Sequence, residues 1–282
     1  MQEKYVPSGI SSIQGFIITL CLGIIGAVVV PIVYIILGRL IPNIWFIAII
    51  SVLFGFAVAL FIDLGIKIGK VRSKKTAVGI GVFCGLLSYY LQWVVFDALM
   101  YSPKGFTFNL GSEDLKMLLK DIFYLFVHPN ILFGEICNIN EVGSFRIKGS
   151  GNVKGALLWV IWAAEFLVIV GSTIYGVVTG KVMHPFSESN DEWMEKRKTS
   201  IRIPVVNDKE TFVTRLQNGD HKILENEPAL ATADSYAEVN IFESNGDSMK
   251  YLTVFNVQNT RKKKDLKKMI VVKFLPLYNS NI

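Results

Sequence analysis

Four long apolar segments dominate the pattern of hydrophobic and polar positions along the chain. They cover residues 12–37, 44–66, 77–100 and 156–180. A helix needs about 20 apolar residues to cross the hydrocarbon core, since each residue rises about 1.5 Å. A helix also satisfies all of its own backbone polar groups, which lipid does not do. The pattern therefore predicts four membrane-spanning helices, and the short connections between the first three make them antiparallel neighbours.

Two other interpretations of these segments fit the chain less well. The first apolar run, Ile13 to Leu37, is longer than the core of about 7–15 residues that a signal peptide has. Membrane β-barrels use strands of about 10 residues with alternating polarity, and the apolar runs do not alternate in this way. We therefore expect the membrane part to be an all-α four-helix bundle.

The stretch between the third and fourth spans contains one further helical pattern. Apolar residues recur at helical spacing from Glu113 to Val127, Ser112 is a suitable N-cap, and "HPN" follows. Its polar face predicts an amphipathic helix on the outer membrane surface or across the end of the bundle. We expect it to cover the bundle, with a gating or binding role as the alternative.

After Pro185 the pattern changes to short alternating segments. "PFSESNDEWMEKRK" indicates a polar linker or short helix, and "DKETFVTRLQN" a helix. Four segments are typical of strands, and "SNGDS" predicts a hairpin turn between two of them: "TSIRIPVV", "YAEVNIFE", "MKYLTVFNV" and "MIVVKFLPL". We therefore expect a small soluble α+β domain at the C-terminus.

These elements divide the chain into four parts. Residues 1–100 hold spans one to three, 101–153 form an extracytoplasmic loop with the amphipathic helix, 154–184 hold the fourth span, and 185–282 form the cytoplasmic α+β domain.

Composition indicates the class of protein, and the charges of the loops indicate how the chain is oriented in the membrane. The 282 residues are 51% hydrophobic and 18% charged, with a mean hydropathy of +0.43, which is too apolar for an ordinary soluble domain. The loop "KIGKVRSKK" has five basic residues and no acid, whereas the loop 101–153 is balanced. Short basic loops stay cytoplasmic. We expect a multi-pass protein of the bacterial cytoplasmic membrane with both termini in the cytoplasm.

A second basic run lies near the C-terminus. We interpret it as a solvated connector or as a contact with anionic lipid headgroups, each cation contributing about 1 kcal/mol near the surface. No aromatic residue is interleaved with it, so we expect no nucleic-acid partner. Its basic residues are Arg261, Lys262, Lys263, Lys264, Lys267 and Lys268.

One carboxylate lies deep within the fourth apolar segment, "LLWVIWAAEFLVIVGSTIYG". Glu165 is near the bilayer midplane by residue count, where a charge costs at least about 2.5–3.5 kcal/mol and normally turns inward to a partner. Ser172 begins a small-residue stripe on the same face, and Gln92 and Ser88 lie on a matching stripe of span three. We predict a contact between Gln92 and Glu165 and treat these four residues as a candidate intramembrane polar site.

Other polar residues suggest anchoring rather than chemistry. Asp63 precedes Lys67 by four residues, the spacing of an ion pair on one helix face. The three cysteines have no metal-ligand spacing, and the three histidines are scattered. We expect no metal and no cofactor, and these residues favour a non-enzymatic protein over an enzyme.

The loop "INEVGSF", the following "KGALLWVIWAAEF" and the earlier "GKVRSKK" resemble an uncharacterised family of bacterial four-span membrane proteins. The resemblance covers about residues 10–186 and implies the same topology, with no catalytic residue to carry over. A Cys-x-x-Cys pair follows the fourth span in the family, whereas "HPFSESNDEWME" stands there in this chain. Such a pair suggests a zinc-binding module, and its absence argues against the same metal site in this chain.

Three functions remain for such a chain. The first is a non-enzymatic scaffold or regulator that anchors a cytoplasmic interaction domain. The second is a small channel or transporter that binds a cation or proton at Glu165 and, with only four spans, requires oligomerisation. A membrane enzyme is the third. The expected partners are the lipid bilayer, a protein bound by the cytoplasmic domain and, for transport, further copies of the chain.

Overall fold

The computed structural model describes residues 4–41, 44–101, 111–146, 152–198, 201–227, 234–260 and 265–278. These form two compact units, which we call the bundle, Ser11–Val182, and the C-terminal domain, which begins at Met183. Residues 4–10 group with the C-terminal domain, whereas the sequence analysis places them in one part of the chain with spans one to three.

Over the ranges given above, the bundle contains six α-helices: α1 (Ile13–Leu40), α2 (Ile44–Gly69), α3 (Lys74–Met100), α4 (Ser112–Val127), α5 (Pro129–Val142) and α6 (Ala156–Thr179). α1, α2, α3 and α6 are long and apolar enough to cross a membrane, as the sequence predicts. α1 and α6 each pack against both α2 and α3. We call the end where α3 stops and α6 starts the loop face, and the opposite end the terminal face.

Small residues bring these helices close together. A Cβ atom on Gly176 of α6 would lie 2.6 Å from the Cβ of Ala59 of α2, and one on Gly26 of α1 would lie 2.7 Å from the Cβ of Phe61. Glycine is therefore required where α2 meets both of its partners. Such close approach is the usual way for helices to associate in lipid, where apolar burial offers little gain.

α4 confirms the predicted amphipathic helix, with a different start. Ser112 is the first helical residue, and the N–H of Gly111 donates to Asp114 Oδ2 at 3.0 Å. "HPN" ends α4, but it also starts α5, which the sequence analysis missed. Proline suits the first turn of a helix because its missing N–H would have no partner there. The two helices meet at 102°.

A short β-hairpin, β1 (Phe145–Arg146) with β2 (Asn152–Val153), leads from α5 to α6. In its described residues the C-terminal domain then has seven strands and one α-helix: β3 (Phe186–Ser187), β4 (Glu192–Trp193), β5 (Glu195–Lys196), β6 (Ile201–Ile203), α7 (Lys209–Gln217), β7 (Ser235–Glu243), β8 (Met249–Thr260) and β9 (Asp265–Tyr278). The first three occupy the stretch predicted as a linker or short helix, so that prediction is wrong.

The C-terminal domain is built on an antiparallel sheet. β5 and β6 pair with different parts of β7, and β8 and β9 follow in order. One side of the sheet carries the main core, in which Leu252, Val254 and Leu275 are fully buried beside Phe212 and Leu216 of α7. The predicted strands, the helix and the turn at "SNGDS" are confirmed.

A smaller aromatic cluster contains a residue from the other end of the chain. Tyr5 is 7% exposed and packs edge-on against Tyr251, with ring centroids 5.2 Å apart. Its backbone N–H donates to the carbonyl of Phe274 in β9 at 2.9 Å. The chain therefore leaves the C-terminal domain after Ile10 and re-enters it at Met183.

Candidate functional site

Three helices bring polar groups to the carboxylate of Glu165 on α6. The hydroxyl of Tyr34 on α1 donates to Glu165 Oε1. Gln92 Nε2 on α3 donates to the same oxygen at 3.3 Å, which confirms the predicted contact. The hydroxyl oxygen of Ser51 on α2 lies 3.1 Å from that of Tyr34, so all four spans contribute to one network.

Residue counts place this network well inside the bundle. Glu165 lies nine residues after Ala156, or about 14 Å from the start of α6 at about 1.5 Å per residue. Gln92 lies eight residues before Met100, or about 12 Å from the end of α3. Each of the four side chains thus makes at least one hydrogen bond at a depth where water is scarce, as lipid surroundings favour.

A cavity of about 190 Å³ reaches this network. Glu165 and Gln92 line it, and so do Arg39 near the end of α1 and Ile47 in the first turn of α2. Because Arg39 and Ile47 belong to the loop face, the cavity extends from the carboxylate towards that face. Glu165 is half-buried, and its remaining surface is consistent with a side chain that borders a hollow.

Aromatic rings form much of the cavity wall. Trp93 and Trp162 both line it and meet edge-on, with ring centroids 4.8 Å apart. Phe96 completes this wall, 5.9 Å from Trp93. The site therefore combines one carboxyl group with neutral hydrogen-bond donors and apolar rings. Such a site can hold a proton or a cation at Glu165, because rings and carboxylate both favour positive charge.

One polar atom of this network has no hydrogen-bond partner among the residues that the structure describes. It is the buried Oε1 of Gln92. Buried polar atoms normally have one, and the missing bond costs about 1–3 kcal/mol. Gln92 therefore keeps one unsatisfied acceptor atom inside the protein, in a residue that also lines the cavity.

The other two predicted members of the site lie elsewhere. Ser88 is fully buried in α3 and its hydroxyl has no partner within the described ranges, but it does not border the cavity. Ser172 donates to the carbonyl of Val168 in its own helix at 2.6 Å. It packs where α6 meets Gly55 of α2. The structure therefore joins Glu165 to Gln92 but not to these two serines.

Tyr34, Ser51 and Arg39 are the residues that sequence reasoning missed. Tyr34 lies six residues before the end of α1, about 9 Å inside at about 1.5 Å per residue. Its hydroxyl and that of Ser51 are polar atoms within apolar segments, and this was the signal that a search by depth would have used. A comparison of the small-residue stripes on spans three and four does not detect them, because Tyr34 lies on span one and Ser51 on span two.

Asp63 has a partner that the helical spacing does not predict. Its carboxylate accepts a hydrogen bond from the backbone N–H of Lys181, just beyond α6. Asp63 thereby binds a backbone group at the end of α6, which ties α2 to α6 at the terminal face. The pair of Asp63 with Lys67 stays a prediction.

The basic run near the C-terminus falls partly on β9. Lys267 and Lys268 are exposed on this strand, and Lys268 Nζ lies 2.6 Å from Glu238 Oε2. Arg261, Lys262, Lys263 and Lys264 lie outside the described residues, so the lipid contact proposed for them stays a prediction.

The charged groups of the C-terminal domain are paired differently from Glu165. Arg197 makes a bidentate pair with Glu243, with both N–O distances at 2.7 Å. The hydrogen bonds and positive charge of Arg197 lower the pKa of Glu243 below its ordinary value of 4.5. Here the carboxylate is stabilised by a full charge at the protein surface.

Comparisons with family models, curated proteins and solved structures find no match to this chain. Within the described ranges, no group of three or more His, Cys, Asp or Glu side chains is placed to hold a metal ion. What the fold and the site define is a chain with four apolar helices of membrane-spanning length, a polar network among them, and a separate α+β domain.

Proposed function

We propose that this is a multi-pass protein of the bacterial cytoplasmic membrane that acts as a non-enzymatic scaffold or regulator through its C-terminal domain. One observation carries the proposal: Tyr5 is built into that domain, so the domain is joined to the bundle both before its first residue and after its last. A domain tethered twice is held at the membrane more firmly than a single linker would hold it. Membership of the uncharacterised four-span family is part of this proposal.

The basic loop supports the orientation with both termini in the cytoplasm. Lys67 lies in the last turn of α2, and Lys70 and Arg72 follow that helix. Lys74 and Lys75 are the first two residues of α3. This loop is on the terminal face, at the same end as the connections at Ile10 and Met183. Short loops rich in Lys and Arg stay on the cytoplasmic side.

A strand edge of the C-terminal domain is the surface that fits a protein partner. β9 is the last strand of the sheet, and within the described residues only β8 pairs along it. Its half near Asp265 exposes Met269 and Ile270, the latter at 61%. An open edge with apolar side chains is suited to pairing with an extended segment of another protein.

This proposal is tested by site-specific photo-crosslinking of the full-length protein in cells. A photoreactive residue at Ile270 should give one discrete protein adduct, whereas the same residue at the exposed Lys222, away from β9, should give none. Lipid adducts alone at Ile270, or equal adducts at both positions, would overturn the scaffold function.

The cavity favours a second candidate function, binding or conduction of a proton or cation at Glu165. The observation behind it is that the cavity extends from Glu165 to residues of the loop face. Transport also requires a route to the terminal face, which a homo-oligomer would supply. The bundle would then act alongside the scaffold function or in place of it.

The second candidate is tested by ion flux in liposomes that contain purified protein. Glu165→Gln keeps the size of the side chain and removes its acid, so flux should be lost while the fold persists. Ser172→Ala is the matched control, because Ser172 lies on the same helix but away from the cavity. Unchanged flux in Glu165→Gln, or no flux in any variant, would rule out transport.

A further inference from the structure

The helices α4 and α5 form a bent pair that has two possible paths. It crosses the membrane completely, or it enters and leaves on one side. The fold of the C-terminal domain distinguishes these two paths. By length and composition the pair qualifies as a broken fifth span or as a re-entrant segment. Tyr5 precedes the bundle in the chain and Phe274 follows it, and the two are hydrogen-bonded within one domain. The first and the last residue of the bundle therefore emerge on the same side of the membrane. An even number of crossings is then required. With α1, α2, α3 and α6 as spans, α4–α5 is not a fifth.

Contacts with α3 show how deep the bend lies. The hydroxyl of Tyr90 donates to the backbone carbonyls of Phe126 at 2.8 Å and Leu125 at 3.3 Å, in the last turn of α4. Tyr90 lies ten residues before Met100, or about 15 Å from the loop face at about 1.5 Å per residue. The end of α4 is therefore at about the depth of Glu165. The last carbonyls of a helix have no intrahelical partners. Here the N–H of His128 donates to the carbonyl of Leu125 at 3.3 Å, and Tyr90 supplies a donor to Phe126 where water would not.

The far end of α5 is back at the loop face. Asn140 in its last turn bonds Gly155, the residue that precedes α6, through both its side chain and its backbone carbonyl. The side-chain bond, from Asn140 Nδ2 to the carbonyl of Gly155, is 3.0 Å long. The chain thus descends along α4, turns at His128 and rises along α5 to the level where α6 begins.

Polarity along the pair matches this path. The charged residues of α4 all lie between Glu113 and Asp121, and the segment from Ile122 to Val127 is apolar. α5 has Asn130 in its first turn, is then apolar up to Gly134, and carries its acidic side chains from Glu135 onward. At the bend His128 and Asn130 are polar, and a ring nitrogen of His128 lies 2.8 Å from the carbonyl oxygen of Tyr124. The bend is therefore mostly apolar, and the acidic and lysine side chains lie towards the two outer ends.

The apolar side chains at the bend are exposed. Phe123 is 68% exposed, Phe126 41% and Phe133 59%. Phe126 lies beside Tyr90 and Phe133 beside Trp159, but all three rings keep a large exposed surface, although the bend lies level with the middle of α3. At that depth the surroundings of an outward-facing ring are acyl chains.

We propose that α4–α5 is a re-entrant wedge, residues 112–142, whose apolar bend is embedded among the lipid acyl chains of the leaflet at the loop face. The wedge enters and leaves the membrane on that one side. Ile139 of α5 also lines the cavity at Glu165, so the wedge forms part of the wall between that cavity and the lipid.

Cysteine accessibility in sealed vesicles tests the proposal. Single cysteines replace Leu115, Phe123 or Val142 in full-length protein that lacks Cys21, Cys84 and Cys137, and a membrane-impermeant charged maleimide is added from one side. The three positions are all exposed on the protein, at 47%, 68% and 70%. Leu115→Cys and Val142→Cys should react from the same side, and Phe123→Cys should react only after SDS is added.

Two results would overturn the wedge. Reaction of Phe123→Cys as fast as Leu115→Cys in intact vesicles would show that the pair lies on the membrane surface. Reaction of Val142→Cys from the side opposite to Leu115→Cys would show a fifth span. Phe133→Cys provides a second position at the bend, and a nitroxide there should be relaxed more by oxygen than by a water-soluble nickel chelate.

Discussion

The bundle and the C-terminal domain are packed by opposite kinds of residue. In the bundle, glycines such as Gly176 and Gly26 bring helix backbones together, and the contacts leave no room for a side chain. In the C-terminal domain, large side chains such as Leu252 and Leu275 fill the space between the sheet and α7 and are fully buried. Added volume should therefore disrupt the bundle, and removed volume the domain.

The bundle and the C-terminal domain also differ in the charge of the groups that bind a carboxylate. Glu165 is bonded by a phenol and an amide, both neutral. Glu243 is bonded by the guanidinium of Arg197. Neutral donors suffice where lipid makes any unbonded polar group costly, whereas a charged pair in water gains little because solvent screens it.

The largest expected effect is the loss of volume in the C-terminal domain. Leu252→Ala should lower the free energy of unfolding of that domain by about 2–5 kcal/mol, since a buried cavity replaces the side chain. Ile270→Ala, at an exposed position, should change it by less than about 0.5 kcal/mol. Limited proteolysis of the full-length protein across a urea series measures both units separately. Equal effects of the two changes would refute the packing account.

The second-largest effect on stability should come from added side-chain volume in the bundle. Gly176→Leu should destabilise the bundle by about 1–3 kcal/mol, because Ala59 and Phe56 occupy the required space. Gly171→Leu on the same helix meets no atom within 4 Å of its Cβ and should be neutral or stabilising. A thiol-reactive dye that reports exposure of the buried Cys84 follows unfolding, with Cys21 and Cys137 replaced by Ala. A stable Gly176→Leu bundle would show that the helices have room to separate.

Removal of one neutral donor should cost about as much as one hydrogen bond to a buried group. Tyr34→Phe should destabilise the bundle by about 1–3 kcal/mol, because Glu165 loses its phenol partner. Tyr175→Phe is the control, since Tyr175 is 59% exposed. The Cys84 assay applies again, and equal stability of Tyr34→Phe and the unmodified protein would mean that Glu165 does not depend on this bond.

The smallest effect should come from the surface pair, and it should depend on pH. The pKa of Glu243 is lowered in the folded protein, so its stabilisation is complete above the ordinary value of 4.5 and is lost as the pH falls through the folded value. Arg197→Met should therefore cost less than about 1 kcal/mol near pH 7 and nothing once Glu243 is protonated. Urea unfolding at several pH values measures this difference. A cost that persists in acid would assign it to the packing of Arg197 instead.

The sequence predicted what depends on local pattern. The four spans, α4, α7 and the long strands follow from periodicity, and the contact between Glu165 and Gln92 follows from depth and helical phase. Tyr34 was missed because a tyrosine in an apolar run resembles any packing residue until its hydroxyl has a partner. α5 was missed because Pro129 ends one helix and also suits the first turn of the next.

The assignment of Tyr5 to the C-terminal domain could not be predicted in this way. The contact joins segments that are separated in the chain by all four spans, and no local pattern at Tyr5 indicates its partner. The strands β3 to β5 were missed for a related reason. Each has only two residues, so their pairing and not their composition defines them.

The position of Tyr5 also sets the order of events during synthesis. The ribosome makes Tyr5 before the first span and Phe274 after the last, so every span has been made before the two residues meet. The N-terminal segment must then wait without its partner while the membrane helices insert. The contact of Tyr5 with β9 therefore forms only after the four apolar helices have been made, and a quality-control protease that recognises a loose N-terminal segment would detect chains whose insertion stopped part-way.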